Sequence, residues 1–103
     1  MPTVEEIRAV LKENVYDPEI MINIVDLGLV YDIQIDEERK AVTIDMTLTS
    51  PGCPIGPQII RNVEHVVREA FPELEDVQVN LVWTPLWNPE MMSEEAKDRL
   101  GFF

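Results

Sequence analysis

Residues 29–48 read LVYDIQIDEERKAVTIDMTL, two period-two runs around a charged turn. In the first, Leu29, Tyr31, Ile33 and Ile35 alternate with Val30, Asp32, Gln34 and Asp36. After Glu37-Glu38-Arg39-Lys40, Val42, Ile44, Met46 and Leu48 alternate with Thr43, Asp45 and Thr47. Successive strand side chains point to opposite faces, so each run predicts a strand with one apolar and one polar-leaning face. The pair predicts an antiparallel hairpin. Its apolar face has to be covered by something.

The flanking sequence supplies the cover. Thr3 and Glu6 make a T-x-x-E capping box. Val4, Ile7, Val10 and Leu11 then recur at helical spacing to about Asn14. Tyr16-Asp17-Pro18 ends that helix, because a residue before proline is pushed out of the helical region. Ile20 to Leu29 has no clean period and reads as a loop leading into the first strand, with Asp26 and Gly28 inside it. On the other side, Pro57 suits the first turn of a helix. Its apolar stripe is Ile59, Ile60, Val63, Val66, Val67 and Ala70, and Phe71-Pro72 stops it. Val77, Val79, Leu81 and Trp83 alternate with Gln78 and Asn80 as a third strand. The segment TPLWNPEMM is irregular, and Ser93 caps a short last helix that runs to about Leu100 and stops at Gly101. The order is α-β-β-α-β-α. It predicts an α/β (α+β) two-layer sandwich, a three-stranded sheet covered by helices on one face. The pattern leaves strand order open.

A chain of 103 residues is expected to form a single domain, residues 1–103, with one core. No apolar run approaches the about 20 residues a membrane span needs, and the acidic start lacks the pattern of a signal peptide. A cytoplasmic location is the expectation. The net charge of -12, from 20 Asp and Glu against 8 Lys and Arg, argues against nucleic acid and against an anionic membrane surface.

The one cysteine, Cys53, excludes an internal disulfide and a CxxC pair. It sits in Thr49-Ser50-Pro51-Gly52-Cys53-Pro54, just ahead of the helix that opens near Gly56 or Pro57. A helix N-terminus favours the thiolate, the reactive and metal-binding form, and the prolines stiffen the loop. A buried thiol plugging the end of the sandwich fits equally well. Asp26 is a lone carboxylate among residues suited to burial. It either caps backbone N–H groups of the bend ending at Gly28 or stands beside Cys53, since the hairpin brings the start of one strand next to the end of the other. A thiolate and a carboxylate together make part of a metal site. Glu19, Thr49 and Ser50 can reach the same end or serve as caps and turn formers. His65 lies on the polar helix face and reads as a surface residue, so no Cys/His nucleophile pair is expected. Trp87 sits in a proline-bordered loop that suits partner binding and packing alike.

Four blocks carry a resemblance to a known family: Asp17 to Ile20 (DPEI), Asn23 to Asp32 (NIVDLGLVYD), Thr49 to Pro54 (TSPGCP) and Leu81 to Ala96 (LVWTPLWNPEMMSEEA). They resemble the SufT/PaaD-like family associated with iron–sulfur cluster assembly. The resemblance implies a small non-enzymatic α/β domain that acts as an accessory factor in iron–sulfur protein maturation, an adaptor or transient carrier of a cluster or iron. The family's cysteine falls on Cys53, its acidic partner on Asp26, its threonine on Thr49 and its D-P-E acid on Glu19. It implies no tightly bound cofactor, and as partners iron–sulfur assembly proteins or apo client proteins. One thiolate cannot complete the usual cysteine ligand set of a cluster. A bound cluster has to bridge two chains, as in a homodimer, or be shared with a client. Met21 stands where many members carry proline, and Leu86 where the tail usually reads W-x-P-P-W. The chain lacks the additional C-terminal cysteines often found in PaaD-type members, which favours the SufT-like branch. The alternative is a non-catalytic interaction module of the PaaD type in which Cys53 is structural.

Overall fold

Val30–Asp36 and Ala41–Met46 do form an antiparallel pair, β3 and β4, in a computed structural model that describes residues 2–18, 20–49 and 55–101. The turn between them closes through Lys40, whose φ of 52° lies in the left-handed region. Asp36 holds the same turn, accepting from the Arg39 N–H at 3.2 Å. The third strand, β5 (Asp76–Leu81), pairs with β4 in parallel, giving the order β3-β4-β5. β4 is therefore central. A parallel neighbour requires a crossover, and α2 (Gly56–Ala70) provides it.

The helices cover one face, as the alternation predicts. Val42, Ile44 and Met46 of β4 are buried together with Ile59, Val63 and Val67 of α2. α1 (Val4–Asn14) adds Ile7 and Leu11 to the same core. Its start carries the full capping box: Glu6 N–H donates to the Thr3 hydroxyl at 3.1 Å, and Thr3 N–H to the Glu6 carboxylate at 3.0 Å. Each fully buried aliphatic side chain in this layer is worth about 2 kcal/mol.

Two local expectations need correction. Strict alternation assigns Val30 to the polar-leaning face, but it is buried with 7% of its surface exposed. The register shifts between Val30 and Asp32, and Tyr31 is the extra residue of a bulge. Both Leu29 and Val30 thus point inward, while Tyr31 is left half-buried. The stretch read as structureless also holds a small hairpin. β1 (Tyr16–Asp17) pairs with β2 (Ile22–Asn23) in a separate two-stranded sheet. Strands this short show no periodicity in the sequence.

The turn of that hairpin carries a constraint. Met21 has φ 63°, its side chain is 63% exposed, and its N–H donates to Asp17 O at 2.7 Å. Proline can neither reach that φ nor donate that bond, so this chain's turn is one that proline could not form. Met21→Pro is expected to lower stability by about 3 kcal/mol. Met21→Gly, which relieves the left-handed strain, should raise it by up to about 1 kcal/mol. Urea unfolding of the two variants beside the parent checks both signs.

Candidate functional site

The crossover leaves the sheet where the start of β3 and the end of β5 flank the end of β4. Thr47 N–H donates to Leu29 O and Val82 N–H to Met46 O, both at 2.8 Å. Leu48 then turns under the first turn of α2. A Cβ on Gly56 would lie 2.5 Å from Leu48 Cδ1, so any larger residue there would have to displace the Leu48 side chain. Thr49 follows, half-buried. The chain is thereby anchored through Thr47 and Leu48 just before the loop, and after it at Ile55, whose carbonyl accepts from Ile59 N–H. Ser50 and Cys53 fall between them in the sequence, outside the described residues, and Glu19 is likewise outside the described residues. Among the described residues α2 opens with no side-chain hydrogen bond at its cap, and its first turn has no acidic residue. Its leading N–H groups and its dipole make that end electropositive. Thr47 Oγ1, fully buried, has no hydrogen-bond partner among the described residues.

Asp26 is the described member of the expected acid–thiol pair. Its Oδ2 accepts from Asn23 Nδ2 at 2.7 Å, and its own N–H donates back to Asn23 Oδ1 at 2.8 Å. Lys12 Nζ of α1 stands 3.8 Å from Oδ1. The side chain is 13% exposed, and a carboxylate so placed needs partners, which these two supply. The bend is held by Asn23, a residue the sequence reading passed over. Its signal was there: an asparagine three residues before the aspartate, in a segment about to turn. Among the described residues no group of three or more His, Cys, Asp or Glu is placed to hold a metal ion.

The tail straps the same loop from the other side. Trp87 Nε1 donates to Leu27 O at 2.6 Å, and Tyr31 hydroxyl donates to Pro85 O at 2.7 Å. A short 3-10 turn, Pro89–Met91, then brings the Met91 carbonyl against Gly28, whose φ is 78°. A side chain at position 28 would collide with that carbonyl. Ser93, the cap of α3 (Glu94–Leu100), donates its N–H to Asp26 O at 2.7 Å. The last helix stops at Gly101 with φ 77°, as its sequence signals. Trp87 packs half-buried on the core, whereas its neighbour Leu86 is 64% exposed. His65 is exposed on α2, with Glu69 3.9 Å away.

The sequence profile of a family described as iron–sulfur cluster assembly protein matches residues 4–81. The Fe-S protein maturation auxiliary factor SufT of Staphylococcus aureus is 55% identical over 84% of this chain and 97% of its own length. The Fe-S protein maturation auxiliary factor YitW of Bacillus subtilis is 46% identical over 86% of this chain and 85% of its own. A crystal structure of a domain of unknown function from Bacillus anthracis superposes with TM-score 0.89 at 43% identity, covering 96% of this chain and 92% of that one.

Two substitutions probe the strap. Gly28→Ala meets both the left-handed φ and the Met91 carbonyl, and should cost about 2 kcal/mol or more. Trp87→Phe removes the indole donor and leaves Leu27 O unpaired, a loss of about 1–2 kcal/mol. Chemical denaturation followed by tryptophan fluorescence (Trp83 remains as reporter) reads both.

Proposed function

Because the chain belongs to the iron–sulfur cluster assembly protein family, we propose that it works as an accessory factor in iron–sulfur protein maturation whose working group is the Cys53 thiolate. The observation that carries this reading is the 55% identity to a maturation auxiliary factor across 97% of that relative. The anchored loop ends at Thr49 and Ile55, and the uncapped start of α2, support a loop that presents a thiolate. The chain acts as adaptor or transient carrier, in the cytoplasm, with no catalysis of its own and no tightly bound cofactor. Its cargo is a cluster or iron, its partners assembly proteins and apo clients.

One thiolate sets the logic. A cluster on Cys53 is shared, either with a second copy of the chain or with the client that receives it. Asp26 is the second ligand of such a shared site. To serve, its carboxylate has to exchange the long Lys12 contact for the metal while keeping Asn23. Glu19, Thr49 and Ser50 are the further binding residues of this reading, and the strap around Trp87 faces partners.

A second reading has one observation in its favour. Leu86, 64% exposed on the strap, is a large apolar side chain offered to solvent. In that reading the chain is an interaction module and Cys53 is structural.

Anaerobic reconstitution with iron and sulfide, with and without an apo-ferredoxin as acceptor, separates the two. The parent should develop cluster absorption and hand it to the acceptor, and Cys53→Ser should do neither. Equal absorption in both proteins, or none in either, removes the carrier. If Cys53→Ala still supports maturation and Leu86→Ser does not, the module reading takes its place.

A further inference from the structure

Arg8 sits on the second turn of α1, half-buried, with no carboxylate in ion-pair range and no hydrogen bond from its guanidinium among the described residues. In a chain of net charge -12 that is unexpected. Lys12 has Asp26, Arg39 has Asp36, Lys97 has Glu90, and Arg61 and Arg68 donate to carbonyl oxygens. Lys40 and Arg99 have no such partner either, but both are exposed and hydrated. Among the described cations, only Arg8 carries an unpaired charge in a partly dehydrated place.

Its surroundings suggest what completes it. Arg8 lines a shallow groove of about 710 Å³ together with Val25, Val30, Tyr31, Val82, Pro85 and Met91. These walls are mostly apolar; besides Arg8 and Asp45, the polar side chains of the lining are Thr84 and Tyr31, whose hydroxyl is already given to Pro85 O. Asp45 is the carboxylate among the lining residues, and its Oδ1 accepts from Asn80 Nδ2 at 3.1 Å. A planar guanidinium among apolar walls matches a carboxylate carried on an apolar body. The groove is open, and it runs beside β3, which pairs with β4 on one side only within its sheet. A small molecule would leave much of its surface in water there, whereas ligand pockets enclose most of theirs. An extended chain does not need enclosure.

We propose that the Arg8 groove docks an extended segment of a partner protein in which one acidic side chain, flanked by apolar ones, pairs with the Arg8 guanidinium. The overall acidity of the chain repels anions at a distance, so the apolar contacts have to accompany the charge, and selectivity follows. This goes beyond the role proposed for Cys53, and its test involves neither that residue nor a cluster.

Short blocked peptides of valine and threonine, with a single central glutamate, glutamine or lysine, serve as probes in an NMR titration of the isotope-labelled chain. The glutamate peptide should saturate and shift the Arg8 side-chain N–H and the amides of Gly28, Val30 and Tyr31. The glutamine peptide should bind about five-fold more weakly, and the lysine peptide weaker still. Arg8→Gln should erase the difference between the glutamate and glutamine peptides. Arg8→Lys, which keeps the charge without the fork, should retain part of it, and amide spectra confirm that both variants remain folded. Equal binding of the glutamate and glutamine peptides by the parent, shifts centred elsewhere, or no saturable binding would overturn the proposal. Arg8 would then be a side chain whose stem covers apolar surface and whose charge serves only hydration.

Discussion

The structure turns on β4, which pairs antiparallel with β3 and parallel with β5. An antiparallel neighbour can be reached by a tight turn, a parallel one only by a crossover. Once β5 lies parallel to β4, the chain must leave the end of β4, climb onto the apolar face as α2 and return. The segment after Met46 is therefore the point where strand becomes crossover. In open α/β sheets such carboxyl ends are where ligands bind. Along the sequence the one cysteine falls between Thr49 and Ile55, the described residues on either side of that junction.

The two faces of the sheet are treated differently. Helices α1 and α2 bury one face, in the two-layer arrangement that an alternating hairpin requires. The opposite face stays polar along Asp32, Gln34, Thr43, Asp45, Gln78 and Asn80, with side-chain amides answering the carboxylates. Gln34 donates to Asp32 and Asn80 to Asp45. Beside the start of β3, the strap runs from Val82 to Ser93, pinned to Leu27, Tyr31, Gly28 and Asp26. The loop that carries Asp26 is thus held by α1 through Lys12, by its own Asn23, and by the tail.

Much of this was legible in the sequence because it rests on short-range rules. The capping box at Thr3 and Glu6, the helix stripe from Ile59 to Val67, the α3 cap at Ser93 and its stop at Gly101 are each written in a few adjacent residues. The hairpin of β3 and β4 was legible for the same reason, as was His65 on the solvent side of α2. What escaped depends on contacts between distant residues. The bulge at Tyr31 is set by pairing with β4 and by the hydroxyl's reach to Pro85, and no local pattern announces it. Strand order follows from which strand α2 returns beside. β1 and β2 are too short to show a period. At the candidate site, the placement of Asp26 in the bend was readable, but its holder Asn23 was not singled out. Trp87, left open between packing and binding, is seen against the core through its indole bond to Leu27, with Leu86 the exposed neighbour.

The strap has a bearing on where the family profile ends and folding does not. The family profile stops at Leu81, with the last residue of β5. Met92 and Ala96 lie beyond that border, yet both are buried members of the same hydrophobic cluster as Ile7, Ile44 and Val63. Severing the chain at the border would strip the Asp26–Gly28 bend of its bonds from Trp87 and Ser93 and open the core beneath them. For this protein the unit that the family profile matches is smaller than the unit that has to stay intact, and the difference is a stretch of twenty residues, 82–101, that begins in the sequence as an irregular run.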